Sequence, residues 1–102
     1  MPGVGKLLKQ AQKMQKAMES IQTELETVDI EVSAGGGAVK VTVNGQGALK
    51  SLKIDPEFLK EDASTVESVI LQAVKDAAAK AKQKSEEEMT KVTGGFSIPG
   101  LF

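Results

Sequence analysis

The sequence predicts an α+β fold of order α-β-β-β-α, with a three-stranded antiparallel meander and two long helices. Three observations predict it. An apolar seam with heptad spacing fills the first quarter of the chain. Three short segments of alternating apolar residues follow, separated by glycine and asparagine turns. A second helical pattern, preceded by a capping signal, occupies the last third. The 102 residues make one domain.

The first helix is expected over residues 6–28. Leu7, Ala11, Met14, Met18, Ile21, Leu25 and Val28 step alternately by four and three, and no proline or glycine interrupts them. Such a stripe needs a partner, because it is not left facing water. The sheet is expected over residues 29–55. Ile30-Glu31-Val32-Ser33-Ala34 alternates, and Gly35-Gly36-Gly37 supplies a turn free to adopt positive φ. Val39-Lys40-Val41-Thr42-Val43 is the clearest strand, with a wholly β-branched apolar set. Asn44-Gly45 signals a tight hairpin turn. Leu49 to Asp55 forms the third strand, with Leu52 and Ile54 on one face.

Asp55-Pro56-Glu57 breaks the sheet. Ser64-Thr65-Val66-Glu67 has the form of a capping box, so the second helix is expected over residues 65–92, ended by Gly94-Gly95. Val66, Val69, Ile70, Ala73, Val74, Ala77, Ala78 and Ala81 line its apolar side. Residues 93–102 form an apolar tail. Two long helices carry more apolar surface than one small sheet can hide. A homodimer that joins its sheets or packs their faces is therefore expected, with protruding helical arms.

Composition excludes much chemistry. Cysteine, histidine, arginine, tryptophan and tyrosine are absent, and Phe58, Phe96 and Phe102 are the aromatic residues. Disulfides, zinc-thiolate sites and Cys or His nucleophiles are thus impossible. No guanidinium can fork onto a guanine edge. No segment approaches the ~20 apolar residues of a membrane span, and the N-terminus lacks an apolar signal core. A cytoplasmic protein is expected, with no membrane partner.

The net charge of −1 conceals a pattern. Residues 1–18 carry +4, 19–31 carry −5, 32–54 carry +3, 55–76 carry −4 and 77–102 carry +1. Lys6, Lys9, Lys13 and Lys16 share one helix stripe opposite the apolar seam. They oppose the macrodipole at the helix start, so helix stability does not ask for them. The plain explanation of such a stripe is a solvated outer face. Topology adds another: if the helices pack antiparallel, these lysines lie near Lys80, Lys82, Lys84 and Lys91. Lysine-sided arms would then grip a polyanion through its phosphates, with steep salt dependence.

Other motifs carry less. Gly3-Val4-Gly5-Lys6 lacks the first glycine and the Ser or Thr of a phosphate loop, and no strand precedes it. Gly35-Gly36-Gly37 precedes a strand, without a helix dipole to hold a phosphate. Glu86-Glu87-Glu88 sit on one helix with side chains about 100° apart, so they do not converge on an ion. The acids of Asp55-Pro56-Glu57 lack a pocket and a partner group. Met14 and Met18 read as core filling. No metal, cofactor or catalytic residue is expected, and the chain is not expected to be an enzyme.

Leu7-Leu8-Lys9-Gln10-Ala11-Gln12-Lys13-Met14-Gln15 resembles the opening helix of the YbaB/EbfC family of bacterial nucleoid-associated proteins. Gly35-Gly36-Gly37-Ala38-Val39-Lys40-Val41, Asn44-Gly45, Ile54-Asp55-Pro56-Glu57 and Ala73-Val74-Lys75-Asp76-Ala77 with Lys80 resemble its middle. Thr93-Gly94-Gly95 and Ile98-Pro99-Gly100 resemble its end. The resemblance implies an α-β-β-β-α homodimer with tweezer-like arms, located in the nucleoid and without catalysis. It implies double-stranded DNA as partner, roles in nucleoid organisation and gene regulation, and DNA-binding residues on the arms. By position these are Lys6, Lys9, Lys13 and Lys16, then Lys80, Lys82, Lys84 and Lys91. Genes of the family often neighbour replication and recombination genes, which adds such proteins as further expected partners. The rival expectation is a dimeric protein-interaction module or accessory factor with no direct DNA role.

Overall fold

The structure is a computed structural model that describes residues 3–95. The apolar tail Phe96–Phe102 lies outside the described residues. The order is α1 (Val4–Thr27), β1 (Ile30–Ala34), β2 (Val39–Val43), β3 (Leu49–Ile54), a short 3₁₀ turn (Phe58–Lys60) and α2 (Ala63–Gly95). The strands form one antiparallel sheet in the order β1-β2-β3. The α+β fold read from the sequence is therefore the observed one.

The sheet has two unlike faces. On the inner face the cross-strand rows are Ile30–Val43–Leu49, Val32–Val41–Leu52 and Ala34–Val39–Ile54. α2 lies over β1 and β2 and presses Ala73, Ala77 and Ala81 against the valines. Val39, Val41, Ala73 and Ala77 are completely buried. Small side chains on α2 let its backbone approach the sheet closely, so the core is thin but dry. β3 is left out: Leu52 stays 44% exposed and Leu49 59%.

α2 passes the end of the sheet after Ala81 and meets the C-terminal half of α1. Leu25 is buried there, and Val92 is buried on α2. Lys84 and Glu88 line one hollow with Ile21, Glu24, Leu25 and Val28. Lys80, Gln83, Lys84 and Glu87 line another with Val28 and Ile30. Rising numbers on α2 thus meet falling numbers on α1, which makes the helices antiparallel. The molecule measures 71 × 23 × 16 Å with a radius of gyration of 19.7 Å, against ~13 Å for a compact chain of this length.

Five local expectations are corrected. α2 starts at Ala63, and its cap is Asp62 rather than Ser64. The Thr65 backbone N–H donates to Asp62 Oδ2 at 3.3 Å and the Thr65 hydroxyl to Oδ1 at 2.6 Å. A carboxylate at the helix start also meets the positive dipole end, which a serine does not. α2 continues through Gly94 to Gly95, because glycine permits a left-handed stop without imposing one. α1 starts at Val4 and ends at Thr27, and β3 ends at Ile54.

The turn at Asn44-Gly45 is a five-residue loop, not a two-residue hairpin. The Asn44 side chain accepts from the N–H groups of Gln46 and Ala48, both at 2.9 Å. Positive φ falls on Gly47. Gly45 serves a different purpose, because its N–H donates to the Leu25 carbonyl oxygen at 2.7 Å. A Cβ there would stand 2.9 Å from that oxygen and 2.6 Å from the Leu25 side chain. The Gln46 side chain donates to the Gln22 carbonyl oxygen at 2.8 Å. The loop thereby satisfies the Leu25 carbonyl, one of the last four of α1 that lack an i+4 partner within the helix, adds a second bond to the Gln22 carbonyl, and fastens α1 to the sheet.

Candidate nucleic-acid interface

α1 positions the candidate site. A rise of 1.5 Å and a turn of 100° per residue place Lys6, Lys9, Lys13 and Lys16 on one stripe. All four are exposed. Lys9, Gln12, Lys13, Gln15, Lys16 and Glu19 border a shallow surface hollow of about 460 Å³. Three ammonium groups and two side-chain amides are thereby offered together as donors for anionic oxygens.

The ion pairs among the described residues lie elsewhere. They join Lys50 to Asp29, Lys60 to Glu57 at 3.2 Å, Lys84 to Glu88 at 3.2 Å and Lys91 to Glu88 at 3.1 Å. Among the described residues Glu19 is the one acid bordering the hollow, and there it pairs with none of the four lysines. The charge of the α1 stripe is therefore not neutralised within the described residues.

The second lysine group is arranged differently. Lys80 and Lys84 stand beside Val28 and Ile30. Lys82 shares a cleft with Gln22, Gly45, Gly47 and Glu86. These three flank the sheet end of α1, some distance from Lys6, Lys9 and Lys13. The reason is the alanine stripe: α2 must still cover the sheet at Ala81, so Lys80 to Lys84 cannot be distal. Lys91 lies about 10 Å further along α2 than Lys84, toward the α1 stripe. Lys84 and Lys91 share Glu88, whose carboxyl is held below the usual range by the bond from Lys91 first and that from Lys84 second. The spacing of four before and three after Glu88 carried this pairing in the sequence.

Nothing else in the described residues gathers reactive groups. No three acids there are placed to hold a metal ion. The cleft around Gly45 and Gly47, about 790 Å³, contains Lys82 and Glu86 as its charged residues. Glu88 is committed to lysines, and the Asp55 carboxylate accepts from the Glu57 backbone N–H at 3.0 Å. No helix among the described residues is long and apolar enough to cross a membrane.

Known proteins resemble this chain in sequence and in fold. Across 102 aligned residues the chain is 45% identical to a nucleoid-associated protein of Alkaliphilus metalliredigens, covering 99% of this chain and 90% of that one. It is 43% identical to a nucleoid-associated protein of Caldanaerobacter subterraneus, covering 97% and 90%. The crystal structure of an uncharacterized protein from Helicobacter pylori superimposes with a TM-score of 0.76, covering 89% of this chain and 94% of the other. Their identity is 24%, so this likeness speaks for the fold alone. The pattern of the YbaB/EbfC DNA-binding family, which is not an enzyme family, matches residues 1–96. With that match spanning the helical stripe, the sheet and the long second helix, the chain belongs to the YbaB/EbfC DNA-binding family.

Proposed function

We propose that the chain is a nucleoid-associated protein that works as a homodimer and holds duplex DNA by its phosphates, through lysines on helical arms. The carrying observation is the exposed α1 stripe of Lys6, Lys9, Lys13 and Lys16, without ion pairs among the described residues. Lys80, Lys82, Lys84 and Lys91 contribute less, since Lys84 and Lys91 share an acid and the others flank the sheet. Lysine without arginine favours point-charge contacts to the backbone over base readout. The family and the names of the relatives support DNA binding in the nucleoid as the setting; nucleoid organisation and gene regulation are the roles proposed for it.

The dimer uses the side of the molecule that α2 leaves open. Leu49 and Leu52 of β3, with Leu71 and Val74 of α2, are large apolar residues exposed by 37–59%. Among the described residues β3 is also a free sheet edge. A second copy covering them removes an apolar patch that monomers rarely expose.

A fluorescence titration of duplex DNA over a salt series tests the function. Exchanging Lys6, Lys9, Lys13 and Lys16 for glutamine should weaken binding to all sequences alike. Each lost phosphate contact should flatten the log–log salt slope by about 0.9. Binding that ignores salt, or loss confined to one sequence, would count against the reading. Val4, Leu7 and Leu8, exposed by 49–60% at the start of α1, favour the second reading, a protein-interaction module. Under that reading defined partners survive nuclease treatment, and the lysine exchanges leave them bound.

A further inference from the structure

The open face of the sheet carries two transverse rows of polar residues. The first is Ser33–Lys40–Lys53 and the second Glu31–Thr42–Ser51. All are exposed except Thr42, which is half-buried. α2 occupies the opposite face, and no described element lies on this one.

Lys40 and Lys53 are direct cross-strand partners, which brings their Cβ atoms to about 5 Å. Like charges so opposed destabilise a sheet. An edge lysine by itself has a plain explanation, since it discourages unwanted strand pairing. That accounts for Lys53 on β3. Lys40 is on the central strand and has no edge to guard. Neither forms an ion pair among the described residues. In these two rows the acid is Glu31 on β1, one strand beyond Lys40; Asp29, just before β1, is taken by Lys50, and the nearby Asp55 carboxylate accepts from the Glu57 backbone N–H. The β2–β3 half of the face is thus two cations ringed by the hydroxyls of Ser33, Thr42 and Ser51.

We infer that this open sheet face is a second duplex-binding surface, holding phosphates with Lys40 and Lys53 while the arms hold another duplex. The inference rests on the DNA-binding reading above. The occupant is a duplex and not an unpaired strand, because none of the three strands offers an aromatic ring on which a base could stack. Lys6 to Lys16 lie roughly 14–29 Å along α1 from Leu25, so the two surfaces are separate. One molecule then bridges two DNA segments.

The test compares the wild type, K40Q/K53Q and the quadruple α1 glutamine variant. Anisotropy over a salt series reads the first duplex. Capture of a second labelled duplex on protein-coated, bead-bound DNA reads bridging. K40Q/K53Q should melt no lower than the wild type, since it loses a like-charge pair. It should bind the first duplex within about threefold of wild type and lose capture of the second by tenfold or more. The α1 variant should lose the first duplex. Unchanged capture by K40Q/K53Q overturns the inference and leaves the arms standing, as does a wild type that binds one duplex and captures no second. A wild type that binds no duplex overturns both readings.

Discussion

α1 and α2 bear apolar stripes of similar spacing with opposite fates. On α2 the small residues Ala73, Ala77 and Ala81 are buried, at 2% exposure or less. On α1 Val4, Leu7 and Leu8, each far more hydrophobic, remain about half exposed, and only Leu25 is fully buried. Burial here is decided by what stands opposite. The alanines face a valine sheet that their size lets them touch, whereas the start of α1 faces nothing among the described residues. The difference also separates duties: the sheet end holds the fold together, and the α1 stripe is free to carry charge.

The comparison breaks most readily where packing is tightest. Ala77→Leu should force α2 off Val39 and Val41 and cost about 3 kcal/mol, the upper end of overpacking penalties, as read from chemical denaturation. Gly45→Ala should come next, at about 2 kcal/mol, because its Cβ meets the Leu25 carbonyl oxygen and side chain. Melting followed on α1 should separate from melting of the sheet in this variant, since the loop fastens the two together.

Acid should loosen the helices by a smaller amount. Asp62 is held below the usual carboxylate range by the Thr65 side-chain bond first and its backbone N–H second, and Glu88 is lowered by Lys91 and Lys84. A lowered carboxyl contributes stability that is complete above its unfolded-state value and is lost as pH falls through the folded-state value. The loss should therefore appear below about pH 4. D62N keeps a good cap but should lose part of that pH dependence, measured by thermal melts at pH 7 and pH 3. The smallest effect sharpens the contrast with Ala77: Leu7→Gln should change stability by less than about 0.5 kcal/mol. A large loss there would show that Leu7 has a partner.

Much of the fold was legible because periodicity is a local property. The heptad steps from Leu7 to Val28 and the alternation in Val39–Val43 named their elements directly. The candidate site was legible only as a stripe. The three-four-three spacing of Lys6, Lys9, Lys13 and Lys16 fixed a common stripe, but nothing local tells which cations meet acids from another element. Setting Lys80, Lys82 and Lys84 beside Lys6 to Lys16 requires that α2 leave the sheet early. The alanines at 73, 77 and 81 carried the contrary signal, since small residues in register mark a close approach.

By itself the sequence determined the elements and their order, the heptad seam, the lysine stripe and the chemistry that a chain without histidine, cysteine or arginine cannot perform. Only the tertiary structure decided which half of α1 is covered, that Gly45 caps α1 instead of making a hairpin, that Asp62 starts α2, and that Lys40 stands opposite Lys53. The physical reason is range. Helix and strand periods depend on neighbours a few residues away, whereas register, close approach and charge pairing depend on groups that meet only when distant segments are packed together.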